Sequence, residues 1–135
     1  MNAMEIKTFR VLCADDNGFF RNALTTLFAS AGHQVRQAEN GHEAWDILLE
    51  SMDQIDVVVT DHQMPGFTGL ELVQLLRQTT FRGRIYVYTS ALSSAEEQSY
   101  RELGVNGIFL KSVALEEVLR QVEEMRAAAS RLTAH

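Results

Sequence analysis

Apolar positions along this chain follow two alternating rhythms. Residues 9–14 form a short, mainly apolar strand pattern that stops abruptly at Asp15-Asp16. Phe20, Leu24, Leu27, Phe28 and Ala31 then recur at steps of 4, 3, 1 and 3, the spacing of a helix buried along one face. Gly32 fits the residue that ends that helix. Residues 34–38 predict a weaker strand at a sheet edge, and Asn40-Gly41 turns into a second helix carrying Ala44, Ile47, Leu48 and Met52. Val57-Val58-Val59 is β-branched and apolar on consecutive residues, which predicts a strand over 56–60 covered on both faces. A loop over 61–68 holds the only proline. A third helix follows over 69–79, a fourth strand over 85–89 and a fourth helix over 94–103, whose acidic first turn suits the helix dipole. A fifth strand over 107–110 and a last helix over 114–131 complete the series.

Strand and helix therefore alternate through the chain, which predicts a parallel sheet with right-handed crossovers and helices on both faces. A doubly wound five-stranded sheet with five helices fits the length, and the order 2-1-3-4-5 is one common solution. Composition narrows the class further. The 135 residues are 46% apolar and 22% charged, as expected of one folded domain, over 9–125, with extensions at 1–8 and 126–135 and no output domain. No apolar run is long enough to span a bilayer, and no signal peptide is apparent. The single cysteine, Cys13, lies in an apolar run and suits a reducing, cytoplasmic setting. A net charge of −6 with scattered arginines argues against nucleic-acid binding.

In open α/β sheets, ligands bind beyond the carboxyl ends of the strands where the strand order reverses. The first strand ends in Asp15-Asp16, the third in Asp61, the fourth in Thr89-Ser90 and the fifth in Lys111. Each has an ordinary reading: Asp15 or Asp16 as a helix cap, Asp61 as a turn residue, Thr89 and Ser90 as strand ends, Lys111 as a solvated charge. Together those readings weaken, because three crowded carboxylates repel unless a cation neutralises them. Oxygen ligands with room for water point to Mg2+.

At these residues the chain resembles the receiver domains of two-component response regulators. The resemblance runs from Phe9 to Met125. It rests on Val11-Leu12-Cys13-Ala14-Asp15-Asp16, on Val57-Val58-Val59-Thr60-Asp61, and on Asp61-His62-Gln63-Met64-Pro65-Gly66 with Gly69. Ile85-Tyr86-Val87-Tyr88-Thr89 and Gly104-Val105-Asn106-Gly107-Ile108-Phe109-Leu110-Lys111 complete it. It implies a flavodoxin-like fold and a phosphoacceptor, Asp61, charged by a sensor histidine kinase or phosphotransfer protein. It further implies that Asp16, Asp61 and the Gln63 backbone carbonyl ligate Mg2+, with Asp15 acting largely through water. Thr89 and Lys111 would contact the phosphoryl group, while Gln63 and Ala91 would tune its lifetime. By the same resemblance the domain signals, and catalyses only its own phosphorylation and dephosphorylation.

Two departures stand out. Ser112 follows Lys111 where the family usually has a proline in a cis peptide; cis before serine costs about 2.5–4 kcal/mol, so a trans bond and a less firmly aimed Lys111 are expected. Ile108 stands where many members carry an aromatic switch residue, which leaves it open between switch and plain core. Strand alternation lets only one of Thr89 and Ser90 face the site, with Ser90 a secondary switch candidate. His62 reads as a solvated loop histidine, and His33 and His42 as surface residues. Trp45 reads as partly buried, and Phe67 as packing locally or meeting a partner.

Output must come through an undetermined protein partner. The apolar line Leu115, Val118, Leu119, Val122, Met125, Ala129 and Leu132 reads as core packing that frays, with a homodimer surface as the second reading. The alternative function is a receiver-like module that works without phosphorylation. A flavodoxin-type enzyme is disfavoured by the acidic loop Asp15-Asp16-Asn17-Gly18, and an aspartate-pair phosphatase by the absence of a second acid in Asp61-His62-Gln63.

Overall fold

The computed structural model describes residues 8–133, with side chains through Glu124. The predicted extensions fall outside these residues except for Thr8 and the backbone of the last helix, as do the side chains of Met125, Ala129 and Leu132. The elements are β1 (Arg10–Ala14), α1 (Gly18–Ser30), β2 (Gln34–Ala38), α2 (Gly41–Ser51), β3 (Val57–Thr60), α3 (Gly69–Leu76), β4 (Arg84–Thr89), α4 (Ser94–Glu102), β5 (Gly107–Leu110) and α5 (Leu115–Thr133). All five strands run parallel, as the alternation implied, in the expected order β2-β1-β3-β4-β5.

The consecutive apolar residues of the central strands sort by parity into two cores. Leu12, Val58, Ile85 and Val87 face α2, α3 and α4, where Leu48, Leu72, Val73, Leu76 and Tyr100 close over them. Val11, Cys13, Val57, Val59, Tyr86 and Tyr88 face the opposite way, under Leu24 and Phe28 of α1 and Val118 and Val122 of α5. A sheet buried on both faces leaves its strand ends as the place where polar side chains can gather. β2 is the exposed edge that its weak pattern predicted.

Local chemistry sets the element ends. Gly32 follows α1 at φ +95°, a conformation open to glycine, and reverses the chain into β2. α3 stops at Leu76, earlier than its periodicity suggested, because Gln78 and Thr79 donate back to Leu75 and Leu76 and the Thr79 hydroxyl bonds the Leu76 carbonyl at 2.6 Å. A 3-10 turn over Met52–Gln54, which periodicity did not predict, carries α2 into β3.

His33, expected on the surface, is buried. Its Nδ1 accepts the Phe9 N–H at 3.0 Å, its Nε2 lies 3.5 Å from Glu123, and its ring stacks on Phe9. With a main-chain donor on Nδ1 and a carboxylate near Nε2, the imidazole sits in an otherwise apolar corner. His42 is exposed as expected and packs on Phe67, 4.4 Å between ring centroids. Trp45 is half-buried against the core beneath α2.

The two-core arrangement makes a direct prediction. Leu12→Ala empties a fully buried position of the central strand and is expected to cost about 2–5 kcal/mol in denaturant unfolding. Gln37→Ala, on the exposed edge strand, should stay within about 0.5 kcal/mol of the wild type.

Candidate functional site

The carboxyl ends of β1 and β3 are neighbours, since Ala14 pairs with Thr60. The chain turns away from the sheet directly after each, so Asp15, Asp16 and Asp61 emerge side by side. Their nearest carboxylate oxygens all lie within 4.8 Å of one another. Asp15 and Asp61 are buried and Asp16 is exposed. Neither Asp15 nor Asp16 caps α1: Asn17 does, its Oδ1 accepting from the Phe19 and Phe20 N–H groups at 2.9 and 3.2 Å. That leaves the two aspartates free for the site, and Asp15 Oδ1 takes the Asn17 N–H at 2.9 Å.

Among the described residues, Lys111 supplies the single ammonium at the centre of this cluster. Its Nζ sits 3.0 Å from Asp61 Oδ2 and 2.8 Å from Asp15 Oδ2. Only the Asp61 contact is aligned as a hydrogen bond; the Asp15 oxygen lies off that line and is buried without an aligned donor. The Lys111 Nζ also stands 4.5 Å above the Phe20 ring and 5.9 Å from that of Tyr88. The Lys111 main-chain N–H donates to the Thr89 carbonyl at 2.8 Å. No peptide bond among the described residues is cis, so the bond before Ser112 is trans as expected. Lys111 is nevertheless held firmly, contrary to the looser aim anticipated, because two carboxylates and an aromatic face fix its head.

Charge burial leaves its mark on these groups. Burial pushes the Asp15 carboxyl up to about 6, against Lys111 and the Asn17 N–H, which pull it down. For Lys111, burial works to lower the pKa, but the bonds to Asp15 and Asp61 outweigh it and the net shift is upward. Three acids facing one lysine, with the buried Asp15 Oδ2 out of line with the Lys111 ammonium, form a donor set of hard oxygens that fits a divalent cation such as Mg2+.

The other strand ends complete the rim. Thr89 is buried while Ser90 is exposed, the split that alternation predicted. Gln63 and Ala91 are exposed. Ile108 is half-buried against the core that holds Tyr100, beside Leu92, Leu103 and Val105.

His62 overturns its solvated reading. It is 4% exposed, with Nδ1 2.7 Å from the Tyr100 hydroxyl and Nε2 3.0 Å from Glu96 Oε2. Its main-chain N–H donates to Asp61 Oδ1 at 2.7 Å, and its carbonyl accepts the Gly69 N–H at 2.8 Å. The reason is α4, which folds Tyr100 and Glu96 over the loop. Gly69 permits this closeness: a Cβ there would stand 2.2 Å from the Asp61 carbonyl oxygen and 2.8 Å from the Tyr100 hydroxyl.

Comparison with known proteins agrees with this arrangement. Residues 11–123 match the family model described as the response regulator receiver domain. The chain belongs to that family. It is 35% identical over 124 residues to the response regulator MprA of Mycolicibacterium vanbaalenii, covering 92% of this chain and 52% of MprA, so it spans about half that relative's length. It is 30% identical to a chemotaxis protein CheY homolog of Campylobacter jejuni, covering 90% of this chain and 95% of the homolog. The structure of Vibrio cholerae CheY4 superposes with a TM-score of 0.78 at 26% identity, covering 87% of this chain and 98% of that one. The receiver's flavodoxin-like fold is thereby established, as expected. Among the described residues no helix is long and apolar enough to cross a membrane.

The structure thus brings together Asp15, Asp16, Asp61 and Lys111 of this receiver, and places Thr89 at the adjoining strand end. Four contributors escaped the sequence: Phe20 and Tyr88 beneath Lys111, and Glu96 and Tyr100 around His62. Phe20 carried a signal only as one member of a helical stripe; its second role, under a lysine far along the chain, has no local signature.

Because the folded state raises the Asp15 pKa from 3.8 to about 6, it favours the protonated acid. That contribution is complete below pH about 4 and is lost as pH rises through about 6. Metal-free protein held in chelator is expected to gain thermal stability from this group between pH 7.5 and 5. Asp15→Asn should remove that gain and unfold at a higher temperature than the wild type at pH 7.5.

Proposed function

We propose that this receiver accepts a phosphoryl group on Asp61 from a sensor histidine kinase or phosphotransfer protein, and signals through protein contacts. The observation that carries the reading is Lys111 set between Asp15 and Asp61 with Asp16 alongside, three carboxylates to one ammonium. It supports a site charged for a cation and a dianion rather than a structural salt bridge, which would match its charges.

In the transfer, an Asp61 carboxylate oxygen attacks phosphorus as the bond from phosphorus to the donor's imidazole nitrogen breaks. The imidazole leaves and takes up a proton from water. Phosphoryl transfer needs an in-line nucleophile and neutralised charge above all. Mg2+, held by Asp16, Asp61 and the Gln63 backbone carbonyl with Asp15 behind them, would supply charge neutralisation on the transferred group. The His62 N–H and Lys111 hold one oxygen of Asp61 each, so the carboxylate is oriented before the donor arrives. Thr89, with its hydroxyl at the neighbouring strand end, and Lys111 are the groups we assign to the bound phosphoryl oxygens. Ser90 and Ile108 are the secondary switch positions. Gln63 and Ala91, both exposed, are the positions we assign to tuning the lifetime of the aspartyl phosphate.

A protein donor must lower its phosphohistidine onto Asp61, so it covers the rim of the site. Phe19, three-quarters exposed and packed edge-on against Phe20 beside Lys111, fits that contact. We place the protein in the cytoplasm, with no nucleic-acid or membrane partner of its own; a downstream protein and a homodimer along α5 remain the output partners of this reading. The phosphorylation-independent alternative draws no support from a site this complete.

Intact-mass measurement after incubation with a small phosphoryl donor tests the reading. One phosphoryl adduct is expected with magnesium, none in chelator and none in Asp61→Asn; a wild type that stays unmodified while binding magnesium overturns it. Phe19→Ala should accept from the small donor at the wild-type rate, yet about tenfold more slowly from a phosphohistidine protein, a loss of about 1.4 kcal/mol at the docking surface.

A further inference from the structure

The turn between β1 and α1 carries the acid pair, and Asp15 at its head is tied to three different elements of the chain. Its N–H donates to the Ala38 carbonyl at the end of β2, 3.1 Å away. Its Oδ1 accepts the Asn17 N–H at 2.9 Å, inside the turn. Its carbonyl accepts from Arg21 Nη1 of α1 at 2.8 Å. Arg21 lies in the first turn of that helix, and its own N–H bonds the Asn17 carbonyl at 3.0 Å, so the root of the side chain is fixed. The guanidinium also reaches β2, where its Nε donates to Gln37 Oε1 at 3.0 Å. A planar fork engaged at two acceptors has little freedom left.

We infer that Arg21 is a positioning residue for the cation: by holding the Asp15 carbonyl it sets the plane of the Asp15–Asp16 peptide, and with it the direction in which Asp16 presents its carboxylate. The role rests on the cation-assisted acceptor reading above. A peptide group is rigid and planar, so the Asp15 carbonyl and the Asp16 N–H and Cα move as one unit. Asp16 is the exposed member of the acid trio, whereas Asp15 and Asp61 are buried, so packing does not aim it. Its aim depends on the main chain behind it. Besides burial, the charges acting on the Asp15 carboxyl are those of Lys111 and Asp61. The hold of Arg21 on this residue is through the carbonyl, the way partners behind a metal ligand orient it. The sign of the effect separates this role from a plain charge. A guanidinium acting only as a charge repels a cation, so its loss would tighten binding. A guanidinium acting as a strut does the opposite: its loss weakens binding.

Calorimetric titration of the full chain with magnesium alone tests this without a phosphoryl donor. Arg21→Met keeps an unbranched stem and loses both bonds, and its magnesium dissociation constant should rise about tenfold. Gln37→Ala removes only the second anchor, at an exposed edge position, and should raise the constant about threefold. Because Gln37 acts through Arg21, the double variant should bind no more weakly than Arg21→Met alone. Arg21→Lys, which keeps the charge and one donor, should recover part of the affinity. With a small phosphoryl donor, the Arg21→Met rate at saturating magnesium should stay within about twofold of the wild type, the loss appearing in the magnesium concentration needed for half the rate. Unchanged or tighter magnesium binding in an Arg21→Met that unfolds like the wild type overturns the inference, as do additive losses in the double variant. Should Arg21→Met fail to fold, wild-type affinity in both Gln37→Ala and Arg21→Lys overturns it. A wild type that binds no magnesium overturns the cation reading itself, so the two failures are told apart.

Discussion

The site is organised around an imbalance of charge. Three carboxylates meet at the ends of β1 and β3, and one ammonium, from Lys111, stands between two of them. Buried ions are costly unless paired, and here the pairing is incomplete. The metal-free site therefore stores unfavourable energy, visible in the raised Asp15 pKa and in the buried oxygen with no aligned donor. On the proposed reading, a cation would relieve part of that energy.

What keeps such a site assembled is the sheet beneath it. Strands buried on both faces cannot shift their register without exposing a whole row of apolar side chains, so the points where β1, β3, β4 and β5 end are fixed relative to one another. The same burial works on Lys111. Its ammonium stands over the Phe20 ring, and that ring belongs to the stripe by which α1 covers the sheet. Core packing and site geometry are thus one set of contacts along α1, and the lysine is held firmly even with the ordinary trans bond before Ser112.

Much of this was legible in the sequence because it is local. β-Branched runs mark the central strands, and the residue at which each run stops names a site position, which is how Asp15, Asp16, Asp61, Thr89 and Lys111 can be picked out before any coordinates. The cap of α1 was open in the sequence because aspartate and asparagine compete for the same position, and only the structure shows Asn17 taking it. His62 and His33 could not be read at all. Each is buried by an element distant along the chain: α4 closes over His62, and α5 brings Glu123 to His33. Histidine burial depends on whether both ring nitrogens find partners, and partners of that kind leave no periodic trace.

Gly69 carries a consequence for how this loop can change over evolutionary time. Its N–H closes on the His62 carbonyl, and its missing side chain leaves room for both the Asp61 carbonyl and the Tyr100 hydroxyl. The span from the acceptor to the start of α3 is therefore a ring of fixed circumference. An insertion or deletion within it would break the closing bond or drive backbone into backbone. Change at this end of the molecule falls most easily on side-chain identity at an exposed loop position such as Gln63, while the length of the loop is constrained.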